Sequence, residues 1–337
     1  MFRLFALLVF AVCTCNSFGQ TICSEKSIHS DDFVVIGGIK QWVTIHGDNC
    51  NNPIVLFLHG GPGLVDSPAS RSQYGYWEKE FTIVQWDQRG AGKTYGANQP
   101  PTELTLDEMI TDGIELSEYL ANHLGQEKII ITGASWGSSL GMYLAKRRPD
   151  LYHAYIGRSQ AVSLKRNLDQ AKKYLLTLAS NNNDQTSIDI LNSLNNQWNT
   201  EESVMKFHQV QEKYKAPPAE SDKNYEIEGI YNNKDYFQLF QKAAEFSQSQ
   251  AFNGNKGGLA TAVDLYQLGF DYQVPLFFIQ GEKDLMTMAS TTEEFVDQLT
   301  APYKEIILVP NRGHDSAFIE ANYQVLKEKV LPMISKK

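Results

Sequence analysis

The chain of 337 residues contains only four cysteines, and two of them, Cys13 and Cys15, lie within the first 20 residues. So few thiols exclude a fold held together by a dense set of disulfide bonds. The other two, Cys23 and Cys50, stand in no motif typical of a metal site or a reactive thiol. In an exported protein this pair can form a disulfide bond, and two separate thiols are the alternative.

Basic residues are also scarce: 30 Lys and Arg stand against 39 Asp and Glu, which gives a formal net charge of −9. A chain with this excess of negative charge is a poor partner for nucleic acids and anionic lipid surfaces. We therefore expect no nucleic-acid partner. The content of 42% hydrophobic and 20% charged residues is ordinary for a soluble globular protein and gives no indication of the oligomeric state.

Long apolar stretches are missing after the N-terminus, where residues 4–12 form the run LFALLVFAV behind Arg3. The small residues Ser17 and Gly19 follow at positions suited to a cleavage site. The pattern predicts a secretory signal peptide at residues 1–19, because the apolar run is too short to span a bilayer. A retained anchor is the alternative. We expect an exported mature protein, periplasmic or secreted, without a membrane span.

Strand-like and helix-like segments alternate over about residues 32–160. DDFVVIGG and KQWVTIHG predict a β-hairpin, and PIVLFLHG, FTIVQWDQRG and KIIITGAS predict buried strands followed by glycine-containing turns. Residues 105–124 show the apolar spacing of a helix, with a capping box at Thr105 and Glu108 and with Gly125 at the end. This alternation predicts an α/β fold, in which a mostly parallel sheet has helices on both faces.

The pattern changes over residues 161–267, where Asn-rich and Gln-rich helical segments carry scattered aromatic residues and no convincing strand. Alternation returns with VPLFFIQGEKD, STTEEFVDQLT and KEIILVPNRGHD, which predict a strand, a helix and a last strand before a closing helix. The sequence therefore predicts a core of residues 20–160 and 268–337, interrupted by a helical cap at residues 161–267.

Ser135 stands in GASWG, after a predicted strand and before a predicted helix. This is the G-x-S-x-G pattern of a nucleophile on a sharp turn, in which Gly133 and Gly137 let the helix pack close to the strand. The N–H of Trp136 would lie at the start of that helix, where the helix dipole favours negative charge. An ordinary turn between strand and helix is the alternative for so short a motif.

A serine nucleophile needs a histidine as base and an acid that orients the base. In a sheet with this turn, the chain order is serine, acid, histidine. His314 follows a strand at the carboxyl edge of the predicted sheet, whereas His153 lies close behind the serine's helix and His208 lies within the cap. The sequence therefore favours His314 as the base.

The acid is expected at the end of the preceding strand, where Asp284 stands in FFIQGEKD. Glu282 is two residues earlier and is expected to face away, and Asp315 is too close in sequence to the histidine for the usual geometry. We therefore predict Asp284 as the acid. A structural aspartate in a turn is the alternative.

Glycines dominate the loop after the strand PIVLFL, which reads HGGPG at residues 59–63. Attack on a carbonyl group creates an oxyanion, and backbone N–H groups of such a loop stabilise it. The N–H groups of Gly61 and Trp136 are the predicted donors. A glycine–proline turn without function is the alternative.

In chain order, the motifs HGGPG, WDQRGAGKT, GASWGSSL, GEKD and GH closely resemble those of the proline iminopeptidase branch of the α/β-hydrolases, over about residues 33–160 and 272–335. The resemblance implies the α/β-hydrolase fold with a helical cap over the active site. It also implies a catalytic triad of Ser135, Asp284 and His314, and neither a cofactor nor a metal.

Enzymes of this branch remove an N-terminal residue, often proline, so the resemblance implies that carboxylates of the cap bind a free α-ammonium group. Glu226, Glu228 and Glu245 are the candidates, and Glu245 in AAEFSQ is expected to lie among apolar neighbours. Solvated helix residues are the alternative for each. The resemblance also implies that Asp87 and Arg89 of WDQRG pair and hold loops near the site.

The sequence thus predicts a serine hydrolase that cleaves an N-terminal residue, proline or another small or apolar one, from a peptide or aminoacyl substrate through an acyl-enzyme. A carboxylesterase or lipase-like hydrolase with the same triad is the first alternative. A non-catalytic binding protein of the same fold is the second. An epoxide hydrolase or dehalogenase is disfavoured because these enzymes need a carboxylate at the position of Ser135.

Overall fold

The computed structural model describes residues 27–99, 103–194, 198, 200–216, 225–252, 258–314 and 318–335. One sheet is formed by the strands β1 (Ile28–Ile36), β2 (Ile39–Gly47), β3 (Ile54–Leu58), β4 (Thr82–Asp87), β5 (Ile129–Ala134), β6 (Tyr152–Arg158), β7 (Leu276–Gly281) and β8 (Lys304–Val309). Their order is β1-β2-β4-β3-β5-β6-β7-β8. β2 is antiparallel to both of its neighbours, and the other pairs are parallel. The predicted mostly parallel sheet is confirmed.

The hairpin of β1 and β2 is confirmed, with Ile36 paired to Ile39 across a two-residue turn. The turn residues Gly37 and Gly38 have φ angles of 56° and 74°. Two successive positive φ angles are what a tight hairpin turn requires, and glycine adopts them without steric cost.

β3 pairs with β4 on one side and with β5 on the other, so the direction in which strands are added reverses after β4. In an open α/β sheet, ligands bind at the carboxyl ends of strands beside such a reversal. Ser135 directly follows β5, and the HGGPG loop directly follows β3. The topology therefore brings both predicted parts of the site to the same edge.

The α-helices are α1 (Ser70–Tyr74), α2 (Gly92–Ala97), α3 (Leu106–His123), α4 (Trp136–Arg147), α5 (Leu164–Asn181), α6 (Gln185–Ser193), α7 (Glu201–Tyr214), α8 (Lys234–Phe252), α9 (Gly258–Ala262), α10 (Ala289–Gln298), α11 (Ile319–Gln324) and α12 (Leu331–Ile334). The predicted capping box begins α3: the Glu108 N–H donates to Thr105 Oγ1, and the Thr105 N–H donates to Glu108 Oε2. A π-helical turn at Val325–Val330 joins α11 to α12.

Side chains of β3 alternate between two hydrophobic cores, one on each face of the sheet. Leu56 belongs to the core that includes Leu116 of α3 and Leu140 of α4. Phe57 belongs to the opposite core, which includes Leu326 near the C-terminus. A strand that is buried on both faces is apolar throughout, which explains the continuous run IVLFL.

Helices α5 to α9 lie between β6 and β7, and the described residues of this segment include no strand. Their apolar side chains form a third core, with Leu168, Trp198 and Phe207, that also takes in Leu285 from the loop after β7. This contact joins the helical segment to the sheet near the edge that carries Ser135. The boundaries of the predicted core and cap stay a prediction.

No helix in the described ranges combines the length and the apolar character needed to cross a membrane. Residues 1–19, for which the sequence predicts a signal peptide, lie outside these ranges. Cys50 is disulfide-bonded. Its predicted partner, Cys23, also lies outside the described residues, so the pairing of the two stays a prediction.

Candidate active site

Ser135 lies on the turn between β5 and α4, with φ of 51° and ψ of −116°. A positive φ is uncommon for a residue with a Cβ atom and is a strained conformation. Backbone hydrogen bonds hold the turn: the Ser135 N–H donates to the Arg158 carbonyl oxygen at 2.9 Å, and the Ser138 N–H donates to the Ser135 carbonyl oxygen at 3.0 Å. The strand, strained serine and helix have the geometry of a nucleophile elbow.

The two glycines of GASWG are required by close backbone contacts. A Cβ atom on Gly133 would lie 2.2 Å from the carbonyl oxygen of Gly137, and one on Gly137 would lie 2.0 Å from the carbonyl oxygen of Leu58. Backbone atoms cannot yield as a flexible side chain can. The glycines therefore let α4 pack directly against β5 and β3.

His314 joins Ser135 to Asp284 through both of its ring nitrogens. Its Nε2 lies 3.2 Å from Ser135 Oγ, and its Nδ1 lies 2.9 Å from Asp284 Oδ2. With the proton on Nδ1, the ring donates to the carboxylate and accepts from the serine hydroxyl. The structure thus brings together the three residues that the sequence selects, with Asp284 after β7 and His314 after β8.

Asp284 is buried, and a set of donors surrounds its carboxylate. The N–H groups of Met286 and Thr287 donate to Oδ1 at 2.8 Å each, and Thr287 Oγ1 and Gln280 Nε2 donate to Oδ2 at 2.7 and 3.1 Å. Burial alone would raise the pKa of Asp284, but the charge of His314 and these hydrogen bonds outweigh it and lower the pKa. The carboxylate is therefore held ionised beside the imidazole.

The same pair controls the protonation of His314. Burial disfavours the charged ring, but the charge of Asp284 and its hydrogen bond outweigh burial and raise the pKa of His314 above the ordinary 6.5. A raised pKa strengthens the ring as an acceptor of the Ser135 proton. The arrangement can therefore perform general-base chemistry at pH values above the raised pKa of His314, where the ring is neutral.

The predicted oxyanion donors lie on two segments that meet at Ser135. Trp136 is the first residue of α4, so its N–H has no partner within the helix. Gly61 has a φ of 111°, where a Cβ atom would lie 2.6 Å from the Gly63 nitrogen. A Cβ atom on the neighbouring Gly60 would lie 3.5 Å from the Ser135 Cβ, so the HGGPG loop passes close to the serine. The donor role of the two N–H groups stays a prediction.

Gln88, for which the sequence predicts no role, connects these two segments. The Trp136 indole Nε1 donates to Gln88 Oε1 at 3.0 Å, and Gln88 Nε2 donates to the His59 carbonyl oxygen at 3.3 Å. The Gln88 N–H also donates to His59 Nε2, while His59 Nδ1 donates to the Gly60 carbonyl oxygen. Burial lowers the pKa of His59 to about 4, so this histidine is a neutral structural residue.

The expected pairing of Asp87 with Arg89 is wrong. The Arg89 guanidinium binds Asp112 of α3 through two hydrogen bonds, Nε to Oδ2 at 2.8 Å and Nη2 to Oδ1 at 2.9 Å. Asp87 instead accepts from Ser67 Oγ at 2.6 Å and from the Lys93 N–H at 2.8 Å. β4 ends at Asp87, so Arg89 lies beyond the strand, and its side chain is not bound to the face on which Asp87 lies.

A cavity of about 520 Å³ lies beside Ser135 and His314. The HGGPG loop, the loop after β7 and helices α5, α7, α8 and α9 contribute to its wall. Most lining side chains are apolar, among them Leu64, Leu164, Leu168, Val204, Phe252 and Met286. The cavity therefore suits a substrate with an apolar group next to the reacting carbonyl.

None of the three predicted cap carboxylates lines this cavity. Glu226 is exposed, and Glu228 accepts a hydrogen bond from the Arg71 N–H at 3.1 Å. Glu245 is also exposed, which corrects its expected place among apolar neighbours. The structure does not bring these carboxylates together with Ser135.

Asp66 is the one carboxylate among the described residues that line the cavity. Asp66 was not among the predicted ammonium-binding residues, because the resemblance places those carboxylates in the cap. The available signal was its place in GGPGLVD, three residues after Gly63 in the loop that carries the predicted oxyanion donor.

A group able to hold a metal ion lies apart from this cavity. The possible ligand atoms of His29, Asp48 and Glu78 lie within 4.8 Å of one another. None of these residues lines the cavity beside Ser135. They therefore take no part in the geometry around the serine.

The comparisons with known proteins agree with the fold and with the sequence motifs. A family model described as the alpha/beta hydrolase fold matches residues 53–321. The probable aminopeptidase YbaC of Bacillus subtilis (strain 168) is 26% identical over 315 residues, which cover 87% of this chain and 93% of that protein. A probable proline iminopeptidase of Streptomyces coelicolor is 36% identical over 109 residues, which cover 31% of this chain and 33% of that protein.

Two solved structures illustrate the range of proteins that share the fold. A proline iminopeptidase-related protein from Thermus thermophilus matches with a TM-score of 0.63 at 20% identity, over 91% of this chain and 99% of that one. Naproxen esterase (carboxylesterase NP) from Bacillus subtilis matches with a TM-score of 0.56 at 15% identity, over 91% and 92%. At such identities the likeness shows the fold alone. Because the family model spans most of the sequence, the chain belongs to the α/β-hydrolase family, in which it is similar to proline iminopeptidases.

Proposed function

We propose that this chain is a serine hydrolase that removes an N-terminal residue, proline or another small or apolar one, from peptides. The observation that carries the proposal is the hydrogen-bonded series from Asp284 through His314 to Ser135, placed beside an apolar cavity. The relatives named as an aminopeptidase and as a proline iminopeptidase support the choice of substrate.

The first step forms an acyl-enzyme. Ser135 Oγ attacks the carbonyl carbon of the N-terminal residue while His314 Nε2 takes the hydroxyl proton. The N–H groups of Gly61 and Trp136 donate to the oxyanion that develops. His314 then gives its proton to the leaving amine, and the bond between carbonyl carbon and nitrogen breaks.

The second step releases the N-terminal amino acid. Water attacks the ester on Ser135 while His314 takes a proton from the water, and the proton then returns to Ser135 Oγ. Throughout both steps Asp284 accepts a hydrogen bond from the Nδ1–H of His314. This bond keeps the ring in the required tautomer and stabilises its charged form. The sequence of steps needs no cofactor.

Replacing the serine tests the proposed nucleophile. Ser135→Ala is expected to abolish hydrolysis of an aminoacyl-arylamide and covalent labelling by a fluorophosphonate probe, with the thermal unfolding temperature little changed. Ser139→Ala is the matched control, because Ser139 also lines the cavity but its Oγ donates to the Ala161 carbonyl oxygen. Unchanged rates in Ser135→Ala would overturn the assignment.

A carboxylesterase is the second candidate, favoured by the apolar cavity, whose described lining residues do not include the three cap glutamates. An aminopeptidase should reject a substrate whose N-terminus is acetylated, whereas an esterase should accept neutral acyl esters. Comparing an aminoacyl-arylamide with its N-acetylated form, and both with a short acyl ester of nitrophenol, separates the two. A binding protein would process none of them and would leave Ser135 unlabelled.

We also propose that the protein is exported after cleavage near Gly19. The disulfide bond of Cys50 supports this, because disulfide bonds persist in oxidising compartments. The mass of the protein recovered from the periplasm or the medium tests it. A chain that retains its first 19 residues would contradict the proposal.

A further inference from the structure

The local hydrogen bonds of Asp66 do not account for an aspartate at this position. It is the N-cap residue of the short 3-10 helix Ser67–Ala69, yet its side chain makes no capping hydrogen bond. Aspartate is favoured at such positions because its carboxylate accepts from the helix N–H groups. Here the side chain makes no hydrogen bond to any other described residue, and Asp66 lines the cavity beside Ser135.

Arg158 is the cation among the described residues that acts on the charge of Asp66, and it is fully buried. Burial raises the pKa of Asp66, and the charge of the buried Arg158 opposes this only in part. No lysine or arginine is among the described residues that line the cavity. A carboxylate in a largely apolar wall is costly unless a cation lies beside it. In this cavity a bound ligand can supply that cation.

Asp66 lines the same cavity as Ser135 and Gly61. It lies five residues after Gly61, in the loop that passes close to the Ser135 Cβ. In a peptide substrate the α-ammonium group is separated from the scissile carbonyl carbon by one Cα atom. A cation bound at Asp66 would therefore occupy the cavity that also receives the carbonyl attacked by Ser135.

We infer that Asp66 forms the ammonium-binding subsite of the cavity, and that the preferred substrates carry a free, positively charged amine next to an apolar side chain. This inference rests on the proposed hydrolase function and names the group that would give it aminopeptidase specificity. Asp66 thereby takes the ammonium-binding role that the sequence predicted for Glu226, Glu228 and Glu245, which do not line the cavity.

The first test is the effect of Asp66→Asn on substrate preference. The variant keeps the size and an N-cap residue type but loses the charge. The ratio of kcat/KM for a leucyl-arylamide to kcat/KM for a neutral acyl ester is expected to fall by about 10- to 100-fold, the worth of a charge-assisted hydrogen bond. Most of the change should lie in KM. Glu245→Gln, on the exposed face of the cap, is the control and should leave the ratio unchanged.

The second test does not depend on peptidase activity. Benzylammonium and benzyl alcohol have nearly the same shape and differ in charge, so each is tested as an inhibitor of ester hydrolysis. The wild-type protein should bind benzylammonium more tightly, and Asp66→Asn should raise its inhibition constant while leaving that of benzyl alcohol unchanged. Labelling of Ser135 by a fluorophosphonate verifies that the variant is folded.

The outcomes separate the two proposals. A wild-type protein that hydrolyses esters but no aminoacyl-arylamide refutes the aminopeptidase function, and the inhibitor pair still decides the role of Asp66. Equal inhibition by both compounds in the wild type, or an unchanged benzylammonium constant in Asp66→Asn, overturns the subsite. So does a loss of activity in Asp66→Asn that is equal for amine and ester substrates.

Discussion

Asp284 and His314 are joined by a hydrogen bond of 2.9 Å although 30 residues separate them in the chain. Their strands, β7 and β8, are parallel neighbours, so the loops that follow them leave the sheet at the same edge. The carboxylate fixes the proton on Nδ1 of His314 and leaves Nε2 facing Ser135. Loss of this one charge should therefore alter both the rate and its pH dependence.

The pH profile follows from the raised pKa of His314. The base must be neutral to accept the Ser135 proton, so kcat/KM for a neutral ester should fall as the pH decreases through the pKa of His314, which lies above 6.5. Asp284→Asn removes the charge that raises this pKa, so the midpoint should move to lower pH. The variant should also lose about 10⁴-fold in kcat, because an amide favours the wrong tautomer of the ring.

The matched control for this prediction is Glu282→Gln. Glu282 is only two residues from Asp284 but is exposed, and its carboxylate accepts from the Asn311 N–H at 3.4 Å. Its replacement should leave both the midpoint and kcat unchanged. A profile of Asp284→Asn with the wild-type midpoint would show that Asp284 does not control the protonation of His314.

Gly137 provides a test of the packing beneath the nucleophile. In Gly137→Ala the new Cβ atom would lie 2.0 Å from the Leu58 carbonyl oxygen, so α4 or β3 must move. We expect a loss of about 3 kcal/mol in the free energy of unfolding and a large loss of activity, because the turn of Ser135 moves with the helix. Urea unfolding and the rate of fluorophosphonate labelling measure the two effects.

Gly229→Ala is the control, since no atom lies within 4 Å of the position of its Cβ. Its unfolding free energy should change by no more than about 0.5 kcal/mol. Equal stability of the two alanine variants would mean that the contact between Gly137 and Leu58 is looser than the structure describes.

Local patterns were sufficient to predict the elements that carry Ser135, Asp284 and His314. β5 and β7, which precede Ser135 and Asp284, are buried throughout, so their sequences are largely apolar runs, whereas β8 before His314 is the partly exposed edge strand. The capping box of Thr105 and Glu108 marks the start of α3 through contacts within four residues. Parallel strands present their carboxyl ends at one edge, so the chain order of strand ends predicts which side chains can meet. The fold and the order of the site residues follow from these short-range signals.

The sequence alone does not show which polar residues that are distant in the chain will pair in the fold. Arg89 binds Asp112, 23 residues away on α3, and nothing in the spacing distinguishes this partner from Asp87. In the cap, polar helices rich in Asn and Gln give a weak apolar period, so the buried face of α8 could not be identified and Glu245 was placed on the wrong side. Asp66 was missed for a related reason, since only the folded cavity shows which carboxylates it includes.

The ion pair of Arg89 and Asp112 connects three parts of the core. The guanidinium also donates to the Gly37 carbonyl oxygen at 3.0 Å in the hairpin turn, and Gln41 Nε2 donates to Asp112 Oδ2 at 2.8 Å. The side chains of Arg89 and Asp112 are only 11% and 2% exposed. Removal of the carboxylate would leave a buried guanidinium without its counter-ion, which is far more costly than the loss of a surface pair.

Asp112→Ala is therefore expected to lower the free energy of unfolding by about 3–5 kcal/mol. Arg147→Ala removes the exposed pair with Asp107, whose side chains are 44% and 81% exposed, and should cost less than about 1 kcal/mol. Urea unfolding followed by tryptophan fluorescence measures both. Because neither Arg89 nor Asp112 lines the cavity, the folded fraction of Asp112→Ala should label at Ser135 at about the wild-type rate. A loss of stability no larger than that of Arg147→Ala would show that the buried network contributes little to the fold.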